Sequence, residues 1–363
     1  MYKEKRISRS ELVPIRGIDY HVRIWQADAA AASAGPPQAR PAPSGGSEPH
    51  AVGNVGAPLV LVHGWMDVSA SYQFVVDALS DAFVEGRSII APDWRGYGKT
   101  GTGGARLPAG PPQGQTAPSG GSEPHAVGSV GAPDCFWFPD YLADLDFLLD
   151  HYAGDQPVDL VGHSMGGNVA MLYAGVRPAR IRKLVNLEGF GMPATRASQA
   201  PGRFAKWMDE LKSLHKGEMA LKPYNDADGV ARRLMRTNPR LTQLKADWLA
   251  RHWAAPDAAG QWNILGDAAH KITNAQLYRV DEVLEIYRNI SAPTLAIEAS
   301  DDSLGKWWQG KYTLAEYHER LKAVPQLGTA VVQDAGHMLH HDQPEQLARL
   351  IEDFLRQELA DKT

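Results

Sequence analysis

The chain has 363 residues, of which 44% are hydrophobic and 22% charged, and its net charge is -5. This composition is typical of a globular protein with a full core, and it offers no basic surface for nucleic acid. A single cysteine excludes an internal disulfide and fits a reducing compartment, and no apolar run predicts a signal peptide or a membrane span, so we expect a cytoplasmic protein.

A predicted β-hairpin and a duplicated segment come first along the chain. Residues 7–26 predict the hairpin because apolar and polar side chains alternate on either side of a short turn. The segment 34–58 is repeated at residues 109–133, with differences at only four of 25 positions. Both copies are rich in Pro, Gly and Ser, so burial cannot repay their ordering entropy. We interpret them as flexible loops inserted into an otherwise continuous fold.

Strands and helices alternate through most of the remaining chain. The predicted strands are 59–62, 88–92, 158–161, 181–187, 293–297 and 328–332. The predicted helices between and after them are 69–81, 138–149, 168–175, 315–321 and 343–359. This alternation predicts an α/β fold with a mostly parallel sheet, helices on its faces and right-handed crossovers. Loops at the carboxyl ends of such strands form the binding crevice.

The segment 190–288 interrupts that alternation. It contains four predicted helices, at 203–214, 227–236, 241–253 and 280–287, and no strong strand signal. It is also rich in tryptophan. An all-helical insertion of this kind before the last two strands is typical of a lid over an apolar pocket.

The strongest motif is Gly162-His163-Ser164-Met165-Gly166. It follows a buried apolar run and precedes a helical one, which is the strand-turn-helix context of a nucleophile elbow. Side chains at the two glycines would collide with the neighbouring strand and helix, and the strained turn lifts the Ser164 hydroxyl out of the sheet. We therefore predict that Ser164 is a nucleophile.

Four motifs occur in an order that resembles the α/β-hydrolase superfamily. They are His63-Gly64-Trp65, Asp93-x-Arg95-Gly96-x-Gly98, the elbow, and Gly336-His337. The resemblance implies an α/β-hydrolase core of residues 1–189 and 289–363, with a helical lid of residues 190–288. Residues 267–293 are also similar, more weakly, to lid-containing serine-hydrolase-like members.

The resemblance implies a catalytic triad in the chain order serine, acid, histidine. Ser164 is the expected nucleophile and His337 the expected base. Asp302 is the preferred acid from its spacing after the preceding strand, with Asp301 and Glu188 as alternatives. All of these residues lie at the carboxyl ends of predicted strands, so they share one edge of the sheet.

The backbone N–H groups of Trp65 and Met165 are the expected oxyanion hole. His340 and His341, close to the expected base, are interpreted as capping or surface residues. His163, beside the nucleophile, is interpreted as structural.

The predicted reaction is hydrolysis of an ester, or a related carbonyl compound, through an acyl-enzyme. We expect a small to medium, largely apolar substrate. Carbon–carbon bond hydrolysis or perhydrolysis on the same triad is an alternative, and non-catalytic binding of a small ligand is another. The sequence predicts no metal and no cofactor, because it contains neither Cys/His ligand spacing nor a G-x-G-x-x-G motif between a strand and a helix. It gives no indication of oligomeric state.

Overall fold

The computed structural model describes residues 1–26, 56–101 and 135–357. The duplicated insertions predicted at 34–58 and 109–133 therefore lie outside the described residues, apart from residues 56–58. Among the described helices, none is long and apolar enough to cross a membrane.

One eight-stranded sheet forms the centre of the fold. Its strands are β1 (Arg9–Ile15), β2 (Ile18–Trp25), β3 (Leu59–Val62), β4 (Ile89–Pro92), β5 (Val158–His163), β6 (Ile181–Leu187), β9 (Thr294–Ala299) and β10 (Leu327–Val332). Their spatial order is β1-β2-β4-β3-β5-β6-β9-β10. The pairs β1/β2 and β2/β4 are antiparallel, and all the other pairs are parallel. The expected mostly parallel sheet is confirmed.

Helices pack on both faces of this sheet. They are α1 (Gln73–Ala78), α2 (Asp81–Val84), α3 (Phe138–Ala153), α4 (Met165–Val176), α9 (Ser303–Trp308), α10 (Leu314–Leu321), α11 (Leu339–Asp342) and α12 (Pro344–Arg356). Successive strand side chains point to opposite faces, so each central strand contributes to two cores. Leu160 belongs to the core that includes α3 and α4, whereas its neighbour Val161 belongs to the core that includes α1 and α12.

The insertion between β6 and β9 is not all-helical. It contains α5 (Ala200–His215), α6 (Ala227–Thr237), α7 (Gln243–Trp253) and α8 (Val280–Arg288), close to the predicted helices. It also contains an antiparallel pair, β7 (Ala254–Pro256) and β8 (Trp262–Ile264). The all-helical prediction was wrong here because strands of three residues are too short to show an alternating pattern.

Candidate active site

The elbow serine lies between β5 and α4 in a conformation that few residues adopt. Ser164 has φ of 54° and ψ of -116° and is the residue immediately before α4. Its N–H donates to the Leu187 carbonyl at 2.8 Å, which fixes the turn against β6. A Cβ at Gly166 would overlap the Val62 carbonyl oxygen on the neighbouring strand β3. Close backbone approach therefore requires glycine here, as the motif predicted.

The structure brings Ser164, His337 and Glu188 together. His337 Nε2 lies 3.0 Å from Ser164 Oγ, and His337 Nδ1 lies 3.2 Å from Glu188 Oε2. The second Glu188 oxygen accepts a hydrogen bond from the Ala299 N–H at 2.7 Å, which orients the carboxylate. Each of the three side chains follows a different strand (β5, β6 and β10), and these strands end at the same edge of the sheet.

The preference for Asp302 as the residue beside His337 is corrected by this geometry. Asp302 is the N-cap of α9, and its carboxylate accepts a hydrogen bond from the Gly305 N–H at 2.6 Å. Asp301 is occupied by Arg240, with atoms 3.0 Å apart, and by Lys306. Because Asp302 caps the helix that directly follows its strand, its carboxylate is bonded to the first turn of that helix. Glu188, the third alternative, is the carboxylate that contacts the imidazole.

Burial controls the electrostatics of His337. Loss of solvent lowers the pKa of its imidazole, and the hydrogen bond with Glu188 opposes that shift without reversing it. The ring is therefore mostly neutral near pH 7, and it can accept a proton at Nε2 while Nδ1–H donates to the carboxylate. The indole of Trp307 packs edge-on against the imidazole with ring centroids 4.1 Å apart.

The two expected oxyanion donors belong to segments next to the serine. Met165 is the first residue of α4, so its N–H has no acceptor within the helix. Trp65 follows Gly64, whose added Cβ would be 3.0 Å from Ser164 Cβ. Within the described part of the chain, neither N–H donates a backbone hydrogen bond elsewhere. Both N–H groups are therefore left without a backbone acceptor, as an oxyanion hole requires.

His63 supports the loop that contains Trp65. Its Nε2 accepts a hydrogen bond from the Trp94 N–H at 2.9 Å, so its other nitrogen, Nδ1, donates to the Gly64 carbonyl at 2.8 Å. Burial lowers the pKa of this imidazole. The neutral tautomer with Nδ1–H satisfies both contacts and holds the loop next to the nucleophile.

The interpretation of His340 and His341 as capping or surface residues was wrong. They are 0% and 3% exposed and lie within the short helix α11, behind the site. Sequence reasoning also missed a contact of His163, whose Nε2 donates to the His337 backbone carbonyl at 2.8 Å. No periodic pattern indicates these residues, since they belong to a four-residue helix and to a strand end, whose neighbours in space are distant in sequence.

The arrangement suits acyl transfer through a serine nucleophile. A hydroxyl contacts a neutral imidazole, a buried carboxylate contacts the other side of that imidazole, and two N–H groups without backbone acceptors belong to the adjoining segments. The four motifs noted in the sequence, in their order along the chain, are typical of one family. A family model described as alpha/beta hydrolase fold matches residues 57–344. The chain belongs to this family, and it is a hydrolase.

Known proteins resemble the chain over most of its length. It is 23% identical over 314 residues to a serine hydrolase-like protein of Danio rerio, covering 85% of this chain and 84% of the relative. A solved thioesterase domain from the curacin biosynthetic pathway matches with a TM-score of 0.67 and 19% identity, covering 95% of this chain and 99% of that domain. A solved E-2-(acetamidomethylene)succinate hydrolase matches with a TM-score of 0.63 and 18% identity, covering 97% and 100%. The two structures support the fold.

Proposed function

We propose that the protein is a serine hydrolase that cleaves an ester bond of a small to medium, largely apolar substrate through a Ser164–His337–Glu188 triad. The observation that carries the proposal is the continuous chain of contacts from the Ser164 hydroxyl through both nitrogens of His337 to the Glu188 carboxylate. The name of the Danio rerio relative agrees with this reaction class.

The proposed reaction has two acyl-transfer steps. Ser164 Oγ attacks the carbonyl carbon while His337 Nε2 takes its proton, and Glu188 stabilises the resulting imidazolium. His337 then protonates the leaving alcohol. A water molecule attacks the acyl-enzyme with His337 again acting as base, which regenerates the serine.

The oxyanion of each tetrahedral intermediate is assigned to the N–H groups of Trp65 and Met165. One donor of this kind contributes about 3 kcal/mol of transition-state stabilisation. The N-terminus of α4 adds a favourable partial positive charge at the same point. Because the backbone donates these hydrogen bonds, the side chains at both positions remain available to contact substrate.

The preference for an apolar substrate is based on the aromatic groups beside the triad. Trp65 follows the glycine that packs against Ser164, and its side chain is 53% exposed. Trp307 contacts the His337 ring and is 51% exposed. One exposed ring in contact with His337, and a second on the loop that packs against Ser164, favour an apolar acyl or alcohol group.

We further propose that residues 190–288 form the lid. Three hydrogen bonds support this role by joining the segment to loops at the carboxyl edge of the sheet. Trp65 Nε1 donates to the His270 carbonyl at 3.1 Å, and Asn238 Nδ2 donates to Asp342 Oδ1 at 2.7 Å. The third is the ion pair of Arg240 with Asp301 described above. A segment attached at these points borders the entrance to the site.

A panel of p-nitrophenyl esters from acetate to decanoate tests the proposed function. We expect turnover by the wild type, strongest for one range of acyl lengths, and a loss of at least about 10³-fold in kcat for Ser164→Ala. Ser198→Ala, at an exposed position in the insertion, is the matched control and should retain wild-type kinetics. Folded wild type with no turnover of any ester, or Ser164→Ala with unchanged turnover, would contradict the proposal.

A further inference from the structure

A second cluster of polar side chains lies behind the elbow. It consists of Asp67 in the loop after β3, His163 at the end of β5 and His340 in α11. One potential ligand atom from each residue lies within 4.8 Å of the other two. The three residues are 3%, 1% and 0% exposed. Loops that are distant in sequence therefore meet in a closed interior.

Four buried polar atoms of this cluster lack hydrogen-bond partners among the described residues. They are Asp67 Oδ2, His163 Nδ1 and both ring nitrogens of His340. The closest pair, His340 Nε2 and Asp67 Oδ2, is 3.6 Å apart, which exceeds hydrogen-bond distance. Buried polar atoms are normally satisfied, because an unpaired one forfeits its solvation without compensation. Several such atoms facing one another indicate a shared partner.

The other polar atoms of His163 and Asp67 are occupied. His163 Nε2 donates to the His337 carbonyl, so its buried Nδ1 carries an unpaired lone pair. Asp67 Oδ1 accepts hydrogen bonds from the Val68 N–H at 2.8 Å and from Trp253 Nε1 at 3.1 Å. Histidines and carboxylates that bind metals are typically held in this way by second hydrogen bonds.

We propose that Asp67, His163 and His340 bind one divalent transition-metal ion of the Zn²⁺ class. Two imidazoles and a carboxylate are donors suited to Zn²⁺, Co²⁺ or Ni²⁺, whereas Mg²⁺ and Ca²⁺ prefer oxygen alone. Ligand atoms on tetrahedral zinc lie about 3.4 Å apart, given bonds of about 2.0–2.2 Å. The present atoms lie within 4.8 Å of one another, so small side-chain movements that shorten these separations by up to about 1.4 Å would give that spacing.

The ion's position defines a structural role. Asp67 follows the loop of the expected oxyanion donor, His163 directly precedes Ser164, and His340 follows His337 by three residues. One ion bound to all three ligands fixes these segments relative to one another without touching the reacting atoms. Metal binding is measurable without substrate, so the inference does not depend on the proposed hydrolysis.

The experiment measures metal binding directly in the full chain. Protein from zinc-supplemented medium is analysed by elemental mass spectrometry, then depleted with a chelator and titrated with Co²⁺. We expect about one ion per chain, a visible ligand-field spectrum typical of low-coordinate cobalt, and a rise in Tm with metal. His340→Gln and Asp67→Asn should weaken binding at least tenfold. His341→Gln is the matched control, since His341 is equally buried and adjacent but outside the cluster.

Two results would overturn the proposal. One is folded wild type that holds no stoichiometric metal, both as isolated and after Co²⁺ titration. The other is binding that persists unchanged in a variant of a proposed ligand, which would place the ion elsewhere. If His340→Gln does not fold, Asp67→Asn and the wild-type metal content decide the matter.

Discussion

Replacement of Glu188 by glutamine tests whether the carboxylate that contacts His337, and not the one preferred on sequence spacing, is the catalytic acid. Glu188 Oε1 is the acceptor for the Ala299 N–H, so the glutamine oxygen must take that place. The glutamine NH₂ group then faces His337 Nδ1, 3.2 Å away in the wild type. Nδ1 becomes an acceptor and the proton moves to Nε2. The tautomer that results cannot accept the proton of Ser164.

The expected loss follows from that tautomer change. In serine hydrolases the equivalent change lowers kcat by about 10⁴-fold, which corresponds to about 5 kcal/mol of activation free energy. Asp302→Asn is the matched control, because asparagine caps a helix about as well as aspartate does. We expect its kcat to stay within about twofold of the wild type. The Asp301→Asn substitution removes charges only from exposed ion pairs and should also be mild.

The assay is steady-state hydrolysis of the best p-nitrophenyl ester near pH 7.5, with Tm measured for each variant to establish folding. A Glu188→Gln enzyme within tenfold of the wild type would refute the reasoning. So would an Asp302→Asn enzyme that loses several orders of magnitude while remaining folded, since Asp302 would then be the functional acid.

Three further predictions concern stability. Gly166→Ala places a Cβ against the Val62 carbonyl, so the free energy of unfolding measured in urea should fall by about 2–3 kcal/mol. A change below roughly 0.5 kcal/mol, the scatter for surface substitutions, would contradict the close approach. The Arg95 guanidinium donates to both Asp144 oxygens at 2.5 Å, and Asp144→Ala leaves it without this buried partner. We expect the free energy of unfolding to fall by about 3–5 kcal/mol, and a fall under about 1 kcal/mol would be inconsistent with that pairing. Burial lowers the pKa of His270 from 6.5 to about 3, so the unfolded chain takes up its proton first and stability falls as the pH drops below 6.5. Between pH 6.5 and 4.5 the wild type should lose about 2.3 kcal/mol more than His270→Phe, and parallel stability curves would show that this histidine does not titrate as described.

The sequence predicted the sheet because some of its central strands are continuous apolar runs. Residues 59–62 and 89–92 are apolar and buried throughout, and strands covered on both faces of a sheet need no alternating pattern. The elbow was predictable because its glycines are required by local backbone contacts. The order of the strands in space was not, since pairing between distant segments leaves no local signal.

The acid shows where local patterns become insufficient. Asp302, Asp301 and Glu188 all follow strands, and spacing alone favoured the first. What separates them is non-local: Asp302 is held by its own helix, Asp301 by Arg240 from the insertion, and Glu188 by Ala299 from the adjacent strand. The burial of His340 was likewise unpredictable, because a polar pair before a helix is usually exposed.

The central claim is that Ser164 is a nucleophile activated by His337. Labelling with a fluorophosphonate probe, followed by peptide mass spectrometry, tests it most directly. We expect stoichiometric labelling of the wild type at Ser164, none in Ser164→Ala, and a rate at least about 10³-fold lower in His337→Gln. Folded wild type that stays unlabelled, or label that persists in Ser164→Ala, would contradict the claim.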